Sequence, residues 1–225
     1  MTKEELLAQI HFNSDDEREK AEFYLEMKGI AFHKIVVDFL CQNQNKTIPI
    51  EWTDVSNEVR SDKTLREVLY KYLATLEEYI RAYVSNKYED DTRQDFWING
   101  QMKNNKIKTK LSKGTPLFQT LEGTDFGTLI KQVYSMPEDD IEKLFDNVGT
   151  EQNLEAVKEL RNAVSHHEFL QCFKFKSCTV DGFSSNSLIN NIKNLRQLLP
   201  RGYRFGENGK GGITADLKKI KIFID

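Results

Sequence analysis

One apolar stripe limits what this chain can fold into more than any other feature. Leu65, Val68, Leu69, Tyr72, Leu76, Tyr79, Ile80 and Tyr83 recur three and four residues apart. Kept up over about five turns, that spacing puts them all on one face of a single long helix. A strand would need alternation with a period of two, which does not occur here. Glu77 and Arg81 lie beside the stripe in acid-first order four residues apart, an ordinary helix ion pair worth roughly 0.2–0.5 kcal/mol on an exposed face. A rod of this length must bury its stripe against other elements, and the rest of the chain supplies helices for that purpose.

Ser14 followed by Glu17 is a capping-box pattern, so a helix starts near Asp15. Gly29 breaks it from a second piece carrying Phe32, Ile35, Val36, Phe39 and Leu40. Ile48-Pro49-Ile50-Glu51-Trp52 reads as an extended connector, because proline interrupts it. From Glu89 to Gly114 apolar residues are sparse and Trp97 stands among asparagines and lysines, which reads as a long loop or a loosely packed excursion. Leu117, Phe118 and Leu121 suggest a short packed turn. Phe126, Leu129, Ile130, Val133 and Tyr134 form a stripe stopped by Pro137; Glu138-Asp139-Asp140 then makes an acidic first turn for a helix ended by Gly149. A further helix starts near Asn153 and buries Val157, Leu160 and Val164. Phe169 to Lys176 is ambiguous between helix and strand, and Asp181-Gly182 is a turn. Ser184 and Ser185 cap a helix with Leu188, Ile189, Ile192, Leu195 and Leu199, closed by Pro200. Leu217, Ile220, Ile222 and Ile224 suggest a short helix followed by a strand. The fold class is therefore all-α, a bundle of about six helices with a minor strand element near the C-terminus. Residues 1–170 read as a helical domain and 171–225 as a helical extension packed on it.

The chain has 225 residues, 39% of them apolar and 14 of them Phe, enough to build a core without disulfides. Net charge is −3, so attraction to nucleic acid has to come from local basic patches. Cys41, Cys172 and Cys178 cannot all pair and have no CxxC spacing, which points to a reduced cytosolic protein. No signal-peptide layout and no apolar run of about 20 residues is present, so the expectation is a cytoplasmic protein without a membrane span.

Several motifs promise chemistry that their spacing does not support. The segment Arg201 to Gly212 contains Lys210 among glycines, but no Ser or Thr follows the lysine as a Walker A loop requires. Gly206-Glu207-Asn208-Gly209 matches the GXXG of KH domains without their βααβ framework. His166-His167-Glu168 cannot jointly hold one metal on a helix, where neighbours point about 100° apart, so neither a metal nor a cofactor is expected. Cys172 and Ser165 lie near His166 without a nucleophile elbow. Lys103, Lys106, Lys108, Lys110 and Lys113 could track a phosphate backbone or form a solvated face; Lys106, Lys108 and Lys110 are the candidate RNA contacts.

Arg161, Asn162 and His166 remain. A fixed cation and a side chain that ordinarily titrates near neutrality suit phosphoryl chemistry. With Val157, Leu160, Val164 and His167 inward, His166 points outward and Asn162 shares its face four residues back. Arg161 sits about 140° round an ideal helix from His166. The two meet only if the helix tightens or ends near Ser165, or if the arginine wraps round. His167 falls on the core side, as a satisfied structural histidine.

Arg161-Asn162 followed by His166 resembles the HEPN ribonuclease motif, an arginine, an adjacent polar residue and a later histidine. The surrounding order is similar to the Abi-like (abortive infection, AbiD/F type) branch: Leu76-Glu77-Glu78-Tyr79-Ile80-Arg81, then Phe126-Gly127-Thr128-Leu129, then Leu160-Arg161-Asn162 through His166-His167. Together these span roughly residues 15 to 170, and nothing after Phe169 maps onto the family. The resemblance implies a HEPN-like helical domain with metal-independent endoribonuclease activity in antiviral defence or as a toxin. Arg161, Asn162 and His166 would be the catalytic residues, with His167 an added RNA contact. It also implies an RNA substrate and a homodimer whose two motifs face one cleft, with a neutralising antitoxin or regulatory RNA as a partner class. The alternative is a non-catalytic HEPN module that binds RNA or protein through the same cleft.

Overall fold

The computed structural model describes residues 1–90, 105–206 and 211–224. Among them are twelve helices and two two-stranded sheets, the all-α fold with minor strand that the patterning predicts. The chain forms two compact units: Met1–Glu67 with His166–Phe173, and Val68–Ser165 with Lys174–Asp225.

The first unit contains α1 (Lys3–Leu7), β1 (Ile10–His11), α2 (Asp15–Lys28), α3 (Ile30–Asn43), β2 (Ile50–Glu51) and the opening turns of α4 (Trp52–Tyr88). Ser14 caps α2 by accepting the Glu17 N–H at 3.2 Å, while the Glu17 carboxylate takes the Asn13 N–H at 2.7 Å instead of closing the box on Ser14. Gly29, at φ +90°, separates α2 from α3 in a backbone conformation that side-chain-bearing residues avoid. The connector expected at Ile48–Trp52 does extend, pairing Ile50 with Ile10 in parallel register, but Trp52 already opens α4. The long helix thus begins well ahead of the stripe that announced it, because Trp52, Val55 and Val59 bury in this unit's core with Leu6, Leu25, Val36 and Leu40. Phe169 completes that core, edge-on to Phe32 and Phe39. His33 is buried within the unit, stacked near Trp52, and its Nδ1–H donates to the Gly29 carbonyl at 3.0 Å.

The second unit takes the rest of α4, then α5 (Asn105–Ser112), α6 (Leu117–Glu122), α7 (Phe126–Val133), α8 (Glu138–Phe145) and α9 (Glu151–Ser165). A hairpin of β3 (Cys178–Val180) and β4 (Phe183–Ser185) follows, then α10 (Leu188–Leu198), α11 (Arg201–Phe205) and α12 (Gly212–Lys219). The stripe behaves as predicted: Leu69, Tyr72, Leu76 and Ile80 are buried. Its half-buried tyrosines finish the packing with hydrogen bonds, Tyr79 to the Leu144 carbonyl at 3.3 Å and Tyr83 to the Asp140 carbonyl at 3.2 Å.

Four local expectations need correction. The stretch from Glu89 to Gly114 is not all loop, since Asn105–Ser112 is helical and buries Ile107 and Leu111 at a spacing of four; Trp97 and Lys103 lie outside the described residues. Helix α8 ends before Gly149, at Asp146 and Asn147, whose left-handed φ values of +50° and +66° stop it. Ser187, not Ser184 or Ser185, caps α10, and the helix turns Asn190, Asn191 and Asn194 inward while Ile189 is exposed. No strand follows α12 among the described residues. Asp181-Gly182 does form the hairpin turn, with φ +51° and +78° matching the primed turn that two-residue hairpins favour.

Candidate functional site

Helix α9 buries Leu154, Val157, Leu160 and Val164, which leaves Asn162 exposed and Arg161 half-buried on its flank. Arg161 Nη2 lies 3.9 Å from Glu77 Oε2, at the outer limit of an ion pair. The other Glu77 oxygen accepts from Arg81, so the expected helix pair exists and also reaches Arg161. Arg81 is itself a clamp: it donates to the Leu121 carbonyl, to Thr124 Oγ1 at 3.0 Å and to the Thr124 carbonyl at 2.7 Å. Three carbonyl or hydroxyl acceptors and one carboxylate fix that guanidinium, which makes Arg81 structural and leaves Arg161 as the looser cation.

The helix stops at Ser165, which is one of the conditions the wheel geometry sets for Arg161 and His166 to meet. Arg161 and Asn162 belong to the second unit, and His166 opens the segment belonging to the first. His166 is exposed and has no hydrogen-bond or ionic partner among the described residues. His167 does not take the core position expected of it. Beyond Ser165 the helical wheel no longer applies; at φ +58° His167 is turned out and exposed, though it is not unpartnered. Arg66 Nη1 donates to His167 Nδ1 at 2.9 Å. A guanidinium has no acceptor, so that bond places the ring proton on Nε2.

Arg66 belongs to a buried polar chain that the sequence reading missed. Its Nε donates to Asp62 Oδ2 at 2.8 Å, and Asp62 Oδ1 accepts the Leu170 N–H at 2.9 Å. Burial pushes the Asp62 carboxyl up from the usual range, opposed by the Leu170 N–H and by Arg66. Both ends of the turn from His167 to Leu170 are thereby fastened to α4, and His166 stands directly before the fastened turn. A signal was present: Val55, Val59, Asp62, Arg66, Leu69 and Leu73 continue one spacing of three and four, so two charges occupy inward positions.

The candidate lysines are divided. Lys106 and Lys110 line a cleft of about 880 Å3 in the second unit together with Lys131, while the half-buried Lys108 is not on its wall. Glu207 to Lys210 of the glycine-rich segment lie outside the described residues. Cys172 and Cys178 do not have the lowered pKa of a nucleophilic thiol; burial pushes both up, Cys178 to about 11. Among the described residues no three His, Cys, Asp or Glu side chains converge as a metal group, and no helix is long and apolar enough to cross a membrane.

The described residues define an all-α protein, with Arg161 and Asn162 on helix α9 of its second unit. The family described as Abi-like protein matches residues 30–171, and the chain belongs to that family. No curated protein and no solved structure gives a significant match. The matched stretch contains both the Asp62–Arg66 chain and Arg161 to His166; the hairpin and α10 to α12 fall beyond it.

Proposed function

We propose that this Abi-like protein acts in abortive infection, or as a toxin, as a HEPN-type endoribonuclease that needs no metal ion. The observation that carries the reading is the end of α9 at Ser165, which leaves His166 exposed and, among the described residues, without a partner just after Arg161 and Asn162. In this reading His166 removes the proton of a ribose 2′-OH, and the 2′ oxygen attacks the adjacent phosphorus. The bond to the 5′ oxygen breaks and that oxygen takes up a proton, from the protonated His166 or from water, leaving a 2′,3′-cyclic phosphate and a 5′-OH end. General base catalysis of this kind is typically worth about 10² to 10⁴ in rate. Arg161 stabilises the charge gathering on the phosphate oxygens, and Asn162 orients His166 or the phosphate. Lys106, Lys108, Lys110 and His167 hold the strand. One motif per chain makes a homodimer the economical way to bring two motifs to one cleft. A neutralising antitoxin or regulatory RNA would keep such an enzyme silent.

The Arg161–Glu77 contact favours a second reading, a non-catalytic module that binds RNA or protein, because a carboxylate beside the arginine reduces the charge available to a transition state. Incubating the purified protein with cellular RNA in EDTA separates the two. The nuclease reading expects cyclic-phosphate ends that disappear in the Arg161→Ala, His166→Ala double variant. Undiminished cleavage by that variant refutes it. RNA binding without cleavage, surviving His166→Ala, selects the module.

A further inference from the structure

The cleft of the second unit has features that the ribonuclease reading does not use. Helices α5, α6 and α7 wall it, and about 880 Å3 is within the range of small-molecule sites and far more than a lone anion needs. Thr120 Oγ1 and Gln132 Oε1, both on its lining, are buried with no hydrogen-bond partner among the described residues. Thr120 is 1% exposed and Gln132 2%, so bulk water does not satisfy them. Native interiors rarely leave such atoms unpaired, and two on one cleft wall point to a ligand that pairs them.

Charge narrows the ligand. Lys110 and Lys131 line the cleft with exposed side chains and, among the described residues, have no carboxylate partner. The one acidic side chain among the described lining residues, Asp125, is already engaged as the cap of α7: it accepts the Thr128 N–H and the Thr128 hydroxyl, each at 2.8 Å. Those bonds hold its carboxyl below the usual range, so it remains an occupied acceptor that does not answer the lysines. Buried Ile107 and half-buried Tyr134 add apolar wall, and the Tyr134 hydroxyl proton is taken by the Glu151 carbonyl at 3.2 Å. A fitting ligand therefore needs an anionic end, a flat body and polar edges that can donate to a recessed amide oxygen.

We propose that this cleft binds a nucleoside phosphate, with Lys110 and Lys131 on the phosphate and Gln132 and Thr120 reading the polar edge of the base or ribose. The site shares Lys110 with the strand-holding residues of the ribonuclease assignment but does not depend on that assignment, since none of its contacts involves Arg161 or His166. The nucleotide could come free or as one residue of a strand, and the chemistry recognised is the same.

Titration calorimetry on the full chain, with the common ribonucleoside mono- and triphosphates, inorganic phosphate and a short oligoribonucleotide, tests this. At least one nucleotide should bind below about millimolar Kd. Lys110→Glu with Lys131→Glu, both on exposed positions, should weaken it tenfold or more. Thr120→Val should weaken it several-fold yet leave the melting temperature unchanged or higher, because the hydroxyl it removes has no partner among the described residues to lose. Displacement of the nucleotide by the oligoribonucleotide assigns the site to a strand, and binding without displacement assigns it to a free nucleotide. Three results overturn the proposal: no binding by any nucleotide, inorganic phosphate binding as tightly as the nucleotides, or a Thr120→Val chain that binds normally. Failure of the cleavage experiment touches none of these outcomes.

Discussion

Replacing Arg66 with Met puts the buried chain behind His167 to a quantitative test. The Asp62 side chain is fully buried and that of Arg66 is only 9% exposed, so neither charge is solvated, and each relies on the other at 2.8 Å. The substitution keeps the aliphatic stem but leaves a carboxylate buried with one backbone N–H for company, and it deprives His167 Nδ1 of its donor. Breaking a buried pair by removing one partner costs about 3–5 kcal/mol, whereas replacing both partners with apolar groups of similar volume is often neutral. For a chain of this size each kcal/mol lowers the melting temperature by about 2–4 °C, so a drop of roughly 6–20 °C is expected. Arg66→Met combined with Asp62→Leu should recover much of that loss, short of about 1–3 kcal/mol for the Leu170 N–H left without an acceptor. Urea and thermal denaturation followed by circular dichroism, on both singles and the double, give the coupling between the sites directly. If Arg66→Met sits within about 0.5 kcal/mol of the parent, as ordinary surface changes do, the pair is solvated and the reasoning fails. A double variant no better than the single would also count against it.

Three other substitutions probe separate features. Burial lowers the pKa of His33, so the unfolded chain takes up the proton first as pH falls; the stability His33 contributes is present above the ordinary value of about 6.5 and lost below it. Chemical denaturation between pH 7 and 5 should show a slope of up to about 1.4 kcal/mol per pH unit, flattened by His33→Gln. At Gly149 a Cβ would fall inside the van der Waals surface of the fully buried Phe145 ring, so Gly149→Ala should destabilise by about 1–3 kcal/mol in a urea melt, and a neutral result would show that the ring moves aside freely. Asn153 is buried, donates to the Val148 and Thr179 carbonyls at 3.0 Å each and accepts the Thr179 N–H at 2.8 Å. Asn153→Ala should cost about 2–4 kcal/mol and expose the Thr179 amide to hydrogen exchange.

What the sequence shows about this fold depends on how far each interaction reaches along the chain. Leu69, Tyr72, Leu76 and Ile80 announce themselves because periodicity is local and repeats many times. Helix α5 escapes because Ile107 and Leu111 make one inward pair among lysines, too few to count as a period. In α10, hydrophobic spacing points to Ile189, yet buried positions also go to asparagines that reach carbonyls 12 or more residues away, at Cys178, Lys176 and Asn153, which no local pattern shows. Arg161, Asn162 and His166 are visible as a motif on one short stretch. The position of His167 is not, since a wheel drawn for α9 says nothing past Ser165, and the bond that holds it comes from Arg66, far up the chain.

The same asparagines give the hairpin a means of rejecting its own misalignments. Asn190 Nδ2 donates to the Cys178 carbonyl at 2.7 Å and the Ser185 carbonyl at 3.1 Å, the two residues paired at the open end of β3 and β4. A ribbon of three residue pairs has little stability alone. Sliding one strand by a residue would carry a carbonyl about 3.3 Å along the strand, out of reach of that amide. A slip of β3 would also turn Cys178 and Val180 outward. Alternative registers therefore lose their anchor and their apolar contacts together, so α10 acts as a proofreading edge against which only one alignment of the ribbon closes.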